Sequence, residues 1–181
     1  MKKLLLFCSA IALLSACSDK QTFHIHGYVT DANLEGACVF LVPVTEPVIE
    51  PTKENLDSTF IRDQKFEFEG TVERLADIRI EKLKRYGVQN LLVVSEPGDI
   101  YVTVGESSSC YGTPQNDSIQ LWKTLTEAHN QEVIAARQAG FPDAADSIHT
   151  AYKQRTRSMA AALGHESTLG SFLNGLYPEA N

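Results

Sequence analysis

Residues 56–70, LDSTFIRDQKFEFEG, contain the pattern that decides the fold. Two β-rich runs, DSTFIR and KFEFE, are separated only by Asp63 and Gln64, and so short a polar gap predicts a tight hairpin turn. Phe66 and Phe68 lie two residues apart, so they share one face of a strand. The stretch therefore predicts a tight hairpin turn followed by a strand with two phenylalanines on one face.

Five further runs in the same part of the chain have the character of strands. Some alternate apolar and polar residues, as a half-buried strand does, and others are short and continuously apolar, as a buried strand is. They are residues 23–29, 37–42, 77–82, 90–94 and 100–104. Seven strands at this spacing predict an antiparallel β-sandwich of about seven strands over residues 23–112.

The pattern becomes helical after the strands. Thr113, which is followed by a proline, is a good N-cap, and apolar residues then recur every three or four positions. Gly140 and Gly164 are typical helix ends, and a short third helix is predicted over residues 167–176. We therefore expect a mainly β plus α protein whose C-terminal segment, residues 113–181, is a helical hairpin with a short third helix.

Residues 1–16 have the parts of a bacterial secretion signal. A positive n-region with two lysines precedes an apolar run that is too short to span a bilayer. The sequence LSAC, which ends at Cys17, resembles the lipobox of bacterial lipoproteins. The resemblance implies cleavage between Ala16 and Cys17, lipidation of the Cys17 thiol and a tether over residues 17–22. The alternative is a secreted protein in which Cys17 has no such role.

The charge of the chain disfavours nucleic acid as a partner. Removing the signal takes two of the 16 basic residues and none of the 23 acidic ones, so 14 remain against 23 and the net charge becomes −9. An acidic chain of this kind is repelled by polyphosphate. We therefore expect no nucleic-acid partner.

The order of the motifs resembles that of one known family. Besides the lipobox and the Phe66/Phe68 run, the matching residues are Gly27, Asp57, Ser58, Gly70, Pro97, Gly98, Asp99, Gly112 and Thr113. This order resembles the domain of unknown function 4369 (DUF4369) found in envelope lipoproteins of Bacteroidetes-type bacteria. In that family the domain commonly precedes a thioredoxin-like or peroxiredoxin-like domain with a Cys-x-x-Cys motif. This sequence ends at Asn181 without that motif, so the oxidoreductase activity of relatives is not carried over.

Two cysteines, Cys38 and Cys110, would remain as thiols beside the lipidated Cys17. They could form a disulfide in an oxidising compartment, act as reactive thiols, or be buried and free. Cys38 lies in an apolar run and is expected to be inert, whereas Cys110 follows three serines and is expected to be the more exposed thiol.

The histidines of the first strand are a weak signal for a metal site. His24 and His26 share one face of that strand, within reach of one ion. Further ligands do not lie nearby in the sequence, so solvated side chains are the favoured interpretation. We predict no metal and no cofactor.

A second group of polar candidates lies in the helical segment. It comprises His129, Glu132, His149 and His165. A hydrolase triad is defined by geometry and could be assembled from many such sets, and no catalytic motif accompanies this one, so we predict no catalytic residue. Trp122, Tyr152 and Phe172 could line a ligand groove, but aromatic residues at helical spacing usually pack as core.

These observations favour a lipid-anchored, non-enzymatic envelope protein that acts as a binding or accessory module. Its contact surface is expected on the loops at residues 43–55 and 107–112. The alternative is an accessory to, or a truncated relative of, a thioredoxin-like thiol-disulfide oxidoreductase, with such a protein as its partner. The membrane is the other expected partner, and the polar stretch at residues 18–20 resembles signals that send lipoproteins to the outer membrane surface.

Overall fold

The computed structural model describes residues 21–44, 56–81, 83 and 91–178. The predicted signal peptide, the cleavage site at Ala16 and Cys17, and most of the tether lie outside the described residues. Residues 45–55, the larger part of one predicted contact loop, lie outside them as well.

The described residues form eight strands in two sheets. The strands are β1 (Phe23–Val29), β2 (Cys38–Pro43), β3 (Asp57–Phe60), β4 (Lys65–Gly70), β5 (Leu75–Ile80), β6 (Leu92–Val94), β7 (Gly98–Val104) and β8 (Ser109–Tyr111). Sheet A has the order β4-β1-β7-β8, and sheet B has the order β3-β2-β5-β6. The predicted mainly β plus α fold is confirmed, with β8 as a strand that the sequence pattern did not indicate.

The turn at residues 63–64 is tight, but the two strands that it joins belong to different sheets. Asp63 and Gln64 have φ values of 52° and 60°, the left-handed pair of a type I′ turn. The Glu35 carboxylate accepts hydrogen bonds from both of their amides, at 3.0 and 3.1 Å. Beyond the bridge between Arg62 and Lys65, β3 pairs with β2 and β4 pairs with β1. The predicted tight hairpin turn is therefore confirmed, but its pairing ends at the Arg62–Lys65 bridge because the chain crosses from one sheet to the other at this turn.

The pairing of β1 with β7 is parallel, whereas the other paired strands of both sheets are antiparallel. Phe23 pairs with Gly98 and Val29 with Val104. β1 consequently lies in the middle of sheet A, flanked by β4 and β7. The core fills the space between the two sheets.

Two aromatic rings pack over glycines in the β1–β4 pair. The Phe66 ring covers Gly27, where an added Cβ would lie 2.2 Å from the ring, and the Phe23 ring covers Gly70 in the same way, at 2.8 Å. These cross-strand pairs give Gly27, Phe66 and Gly70 a structural reason to occur together in the sequence.

Three helices follow the strands: α1 (Pro114–Gln138), α2 (Ala144–Leu163) and α3 (Thr168–Leu176). The predicted start at Thr113 and the ends at Gly140 and Gly164 are confirmed. Thr113 makes no side-chain capping bond. Instead, the buried Glu96 carboxylate accepts hydrogen bonds from the amides of Gln115, at 2.6 Å, and Asn116, at 3.2 Å. A carboxylate at this end also complements the helix dipole.

The helices and the sandwich share one hydrophobic core. Ile119 of α1, Ala160 of α2, and Leu169 and Leu173 of α3 are fully buried in the same cluster as the sheet residues. The Asn116 side chain pairs with the edge strand β6, since its Oδ1 accepts from the Val94 amide at 3.0 Å and its Nδ2 donates to the Val94 carbonyl at 2.8 Å. The helical segment is therefore packed as part of the same folded unit.

Candidate functional site

The two sheets differ in how much of their outward faces is buried. On sheet B the outward side chains of Cys38, Phe40, Val42 and Asp77 are all less than 9% exposed. On sheet A the outward residues of β4, β1, β7 and β8 are half-buried or exposed. On the edge strand β3 of sheet B, however, the outward residues Ser58 and Phe60 are exposed, Phe60 at 51%. Among the described residues, sheet A therefore offers the more extensive open face.

The open face of sheet A contains five aromatic or imidazole rings, and we call it the aromatic face. Its defining residues are His24, His26 and Tyr28 on β1, Tyr101 on β7 and Tyr111 on β8. The three tyrosines are 44%, 43% and 50% exposed, respectively. Alternation along the strands puts these residues outward, because the intervening residues are buried between the sheets.

Strand register arranges the rings of the aromatic face in a row across the sheet. His26 pairs with Tyr101, and Tyr101 pairs with Tyr111. The ring centroids are 5.3 Å apart for His26 and Tyr101 and 5.6 Å apart for Tyr101 and Tyr111, with interplanar angles of 24° for both pairs. These distances correspond to offset stacking, in which each ring leaves part of its surface free.

Carboxylates lie among the rings. The Asp99 Oδ1 atom is 2.9 Å from the His26 Nε2 atom, and the Glu69 Oε2 atom is 4.0 Å from the His24 Nδ1 atom. Glu67 is the strand partner of His26 on its other side. The aromatic face therefore combines ring surfaces with hydrogen-bond acceptors and donors, a combination that suits contact with a polar ligand.

A shallow depression of about 310 Å³ lies on the aromatic face. Among the residues that line it are His26, Tyr28, Glu67, Tyr101 and Tyr111. Its volume is at the small end of the range of ligand sites.

Two acidic residues lie beside His24 and His26, the pair for which a metal site was the disfavoured alternative. Glu69 and Asp99 approach the two imidazoles from the flanking strands, which the sequence did not indicate. In the described part of the chain, however, no group of three or more His, Cys, Asp or Glu side chains has an arrangement that could hold a metal ion. The two rings are half-exposed, as expected of solvated strand histidines.

Both cysteines in the described part of the chain are buried free thiols. Cys38 is 2% exposed on the outward face of sheet B, and Cys110 is 0% exposed on the inward face of β8. The expectation that Cys110 is the more exposed thiol is therefore wrong, because β8 alternates and turns Ser109 and Tyr111 outward instead. The disulfide alternative does not match the structure, which holds the two as separate thiols.

The surroundings of Cys110 make its thiol a poor nucleophile. Burial raises the pKa of Cys110 to about 11, although the nearby Lys123 opposes the rise. Lys123 is itself 9% exposed, and burial lowers its pKa. The Cys110 Sγ donates to the Leu92 carbonyl at 3.4 Å. This cluster lies on the opposite side of β8 from Tyr111 and so does not contribute to the aromatic face.

Two of the helical candidates come together in the hairpin of α1 and α2. The rings of His129 and His149 lie 5.4 Å apart, and the His129 ring stacks on Tyr152 at 4.5 Å. Burial, reinforced by His149, lowers the pKa of His129, and Glu132 acts in the opposite direction. His165 lies elsewhere, with its Nδ1 atom 3.1 Å from the Asn174 Nδ2 atom.

The three helical aromatic residues differ in burial. Trp122 Nε1 donates to the Tyr152 hydroxyl at 3.0 Å, and the rings of Trp122 and Phe172 make an edge contact at 6.1 Å. Tyr152 is only 5% exposed. Trp122 and Phe172 are partly buried and pack against the core, and Phe172 also lines a depression beside Leu75 and Thr168.

The two sheets and the helices that follow them define a β-sandwich domain with C-terminal helices. Comparison of the sequence with family profiles identifies the family. The profile of the family described as domain of unknown function (DUF4369) matches residues 23–119, from the first residue of β1 into the second turn of α1. The chain belongs to this family. No curated protein and no solved structure matches it. Among the residues that the structure describes, no helix has the length and apolar character needed to cross a bilayer.

Proposed function

We propose that this protein is a lipid-anchored, non-enzymatic envelope protein that binds a partner molecule through the aromatic face. The observation that carries the proposal is the row of His26, Tyr101 and Tyr111 on the open face of sheet A. Tyrosine is enriched at binding surfaces because its ring supplies contact area and its hydroxyl a hydrogen bond. Within the predicted 107–112 contact segment, Tyr111 is exposed and belongs to this surface, whereas Ser108 and Cys110 are buried.

The short segment between Cys17 and β1 supports the proposal of a lipid anchor. β1 begins at Phe23, six residues after Cys17. Six residues reach at most about 20 Å when fully extended. A lipid on Cys17 would therefore hold the sandwich close to the membrane surface, in our proposal that of the outer membrane.

The thiol-disulfide alternative has weaker support. A mixed disulfide with a thioredoxin-like partner needs an accessible thiolate. Cys110 is 0% exposed, with a pKa of about 11, and Cys38 is 2% exposed. We therefore do not extend the proposal to thiol exchange.

The anchor is tested by membrane fractionation of cells that express the full chain. Cys17→Ser is expected to abolish incorporation of labelled palmitate and to release the protein from the membrane fraction. Cys8→Ser, a matched change inside the signal, should leave both unchanged. A Cys17→Ser protein that stays in the membrane fraction would refute the anchor.

The binding surface is tested by a photo-activatable residue placed in the full chain in living cells. Substitution of Tyr101 is expected to give a discrete cross-linked adduct. Substitution of Leu121, which is 63% exposed on α1, is the control and should not give that adduct. Equal cross-linking at the two positions, or none at Tyr101, would contradict the proposal.

A further inference from the structure

We propose that the ligand of the aromatic face is a neutral oligosaccharide chain, an inference that rests on the proposed binding function. The proposal combines three observations on one surface: the stacked ring row, the carboxylates among the rings, and the shallow open shape. Together they disfavour anionic ligands and peptides.

The ring row supplies the apolar contact that a sugar needs. A pyranose ring is similar in size to a phenol ring, and its C–H bonds pack against aromatic surfaces. The row runs from His26 through Tyr101 to Tyr111 in steps of 5.3 and 5.6 Å, so consecutive sugar units can contact consecutive rings. Because the rings are offset, part of each ring surface remains available.

The carboxylates supply the directional contacts. Glu67, Glu69 and Asp99 lie on the strands beside the rings, and the Asp99 and Glu69 side chains are 62% and 69% exposed. Neighbouring sugar hydroxyls donate well to a carboxylate, and hydrogen bonds to a charged acceptor are stronger than neutral ones. His24 and His26 add nitrogen atoms that can donate or accept.

The same carboxylates disfavour anionic ligands. Three acidic residues share the face with one lysine, Lys65, and the whole chain carries a formal charge of −7. A nucleic acid or an acidic polysaccharide would be repelled. The neutral class is the one whose charge fits this surface.

The position of the rings disfavours a peptide ligand. A peptide that extends a sheet adds to an edge strand. His26 and Tyr101 lie on β1 and β7, the two central strands of sheet A, and only Tyr111 lies on the edge strand β8. A peptide added at β8 would therefore lie beside one of the three rings. The depression of about 310 Å³ is also shallow, whereas protein interfaces place their main contact residues in desolvated pockets. A flat polar face with protruding rings fits an extended sugar chain better.

The proposal is tested with the full chain in detergent by affinity electrophoresis in gels that contain one polysaccharide each. The neutral probes are an α-glucan, a β-glucan, a mannan, a xylan and a galactan, and polygalacturonate is the acidic probe. We expect retardation by at least one neutral polysaccharide and none by polygalacturonate. Titration calorimetry with the matching oligosaccharide should then show Tyr101→Ala and Tyr111→Ala each weakening binding about tenfold.

Two controls keep the test decisive. Leu121→Ala on the exposed side of α1 should bind as the unmodified chain does, and Tyr111→Phe should retain most of the affinity because it keeps the ring. If Tyr101→Ala perturbs the fold, amide chemical-shift mapping of the unmodified chain should place the largest shifts at residues 26, 101 and 111.

Three results would overturn the inference: no retardation by any neutral polysaccharide, retardation that the tyrosine variants do not change, or preference for polygalacturonate. If no neutral polysaccharide binds but Tyr101 still cross-links to a protein, the oligosaccharide inference is wrong and the proposed binding function stands. If the Tyr101 cross-link is also absent, both fail.

Discussion

At the scale of single residues, the glycines under aromatic rings leave no room for a side chain. Gly27→Ala would place a methyl group 2.2 Å from the Phe66 ring, which is itself 2% exposed and held in the core. We expect the free energy of unfolding to fall by about 2 kcal/mol, as for other overpacked cores. Urea unfolding followed by circular dichroism measures this free energy.

Gly175 offers a matched control for that substitution. It lies within α3, and an added Cβ would meet nothing within 4 Å. Gly175→Ala should therefore stabilise the protein slightly, by about 0.5 to 1 kcal/mol. Equal free energies of unfolding for the two alanine variants would show that the close packing of Phe66 on Gly27 does not limit stability.

Cys110 gives a second prediction at this scale. Because it is buried and its pKa is raised to about 11, its thiol should resist iodoacetamide at pH 8 in the folded protein. In urea it should be alkylated within minutes, and mass spectrometry of the peptides distinguishes the two conditions. Rapid labelling of Cys110 in the native protein would show that β8 detaches readily.

The error in the sequence prediction for Cys110 has a simple origin. The three preceding serines suggested a solvated loop, but the segment Ser109–Tyr111 is a short strand. Side-chain alternation in a strand decides burial more strongly than the polarity of the neighbours. A three-residue strand is too short for that alternation to be recognised from the sequence.

At the scale of elements, the junction between α1 and β6 depends on one amide side chain. Asn116→Ala removes the hydrogen bonds to the Val94 amide and carbonyl and leaves both groups unpaired in a buried setting. Each unpaired buried group costs about 1 to 3 kcal/mol, so we expect a loss of about 3 kcal/mol. Asn130→Ala, on an exposed position of the same helix, should change stability little. Equal thermal shifts for the two variants would contradict this role.

The α1–α2 hairpin should respond to pH through His129. Its pKa lies below the usual 6.5 because burial and the nearby His149 oppose protonation. The unfolded chain therefore binds the proton more readily, so stability is complete above about pH 6.5 and decreases as the pH falls toward the folded pKa. His149→Asn should raise the pKa of His129, which an NMR titration of the imidazole proton measures. His165→Asn should have no such effect, and an unchanged His129 pKa in the His149 variant would contradict the coupling.

The elements themselves were largely predictable, but their pairing was not. Alternation indicated β1 and β4 almost to the residue, and Thr113, Gly140 and Gly164 gave the helix limits. The sequence did not indicate that the turn at residues 63–64 connects two sheets, because turn chemistry is local and sheet membership depends on distant strands. The parallel pairing of β1 with β7 is non-local for the same reason.

At the scale of the whole molecule, the helices complete the core of the family domain. The family match ends at Ile119, yet Leu169 and Leu173 of α3 are 0% exposed in the core shared with the sheets. A chain truncated after residue 119 would expose the core side chains that these residues cover. We expect it to show no cooperative thermal transition, in contrast to the full chain. A sharp transition in the truncated chain would show that the sandwich folds alone.

The aromatic face could be predicted only in part. The FHIHGYV run already places His24, His26 and Tyr28 on one side of a strand. Tyr101 and Tyr111 join them only because β7 and β8 lie beside β1 in that order. A surface assembled from separate strands has no local sequence signal.

The parallel β1–β7 pair means that sheet A cannot be completed until β7 has been synthesised. Phe23 pairs with Gly98, 75 positions further along the chain, so β1 is synthesised first but must wait for β7 before both of its edges are covered. Pairings so distant in sequence close slowly, and unpaired strand edges invite aggregation in the meantime. If the chain leaves the cell's interior through a narrow channel, it can thus travel unfolded until its first hundred residues have passed. β1, the first strand of the fold to emerge, can then complete its pairing only after β7 has followed.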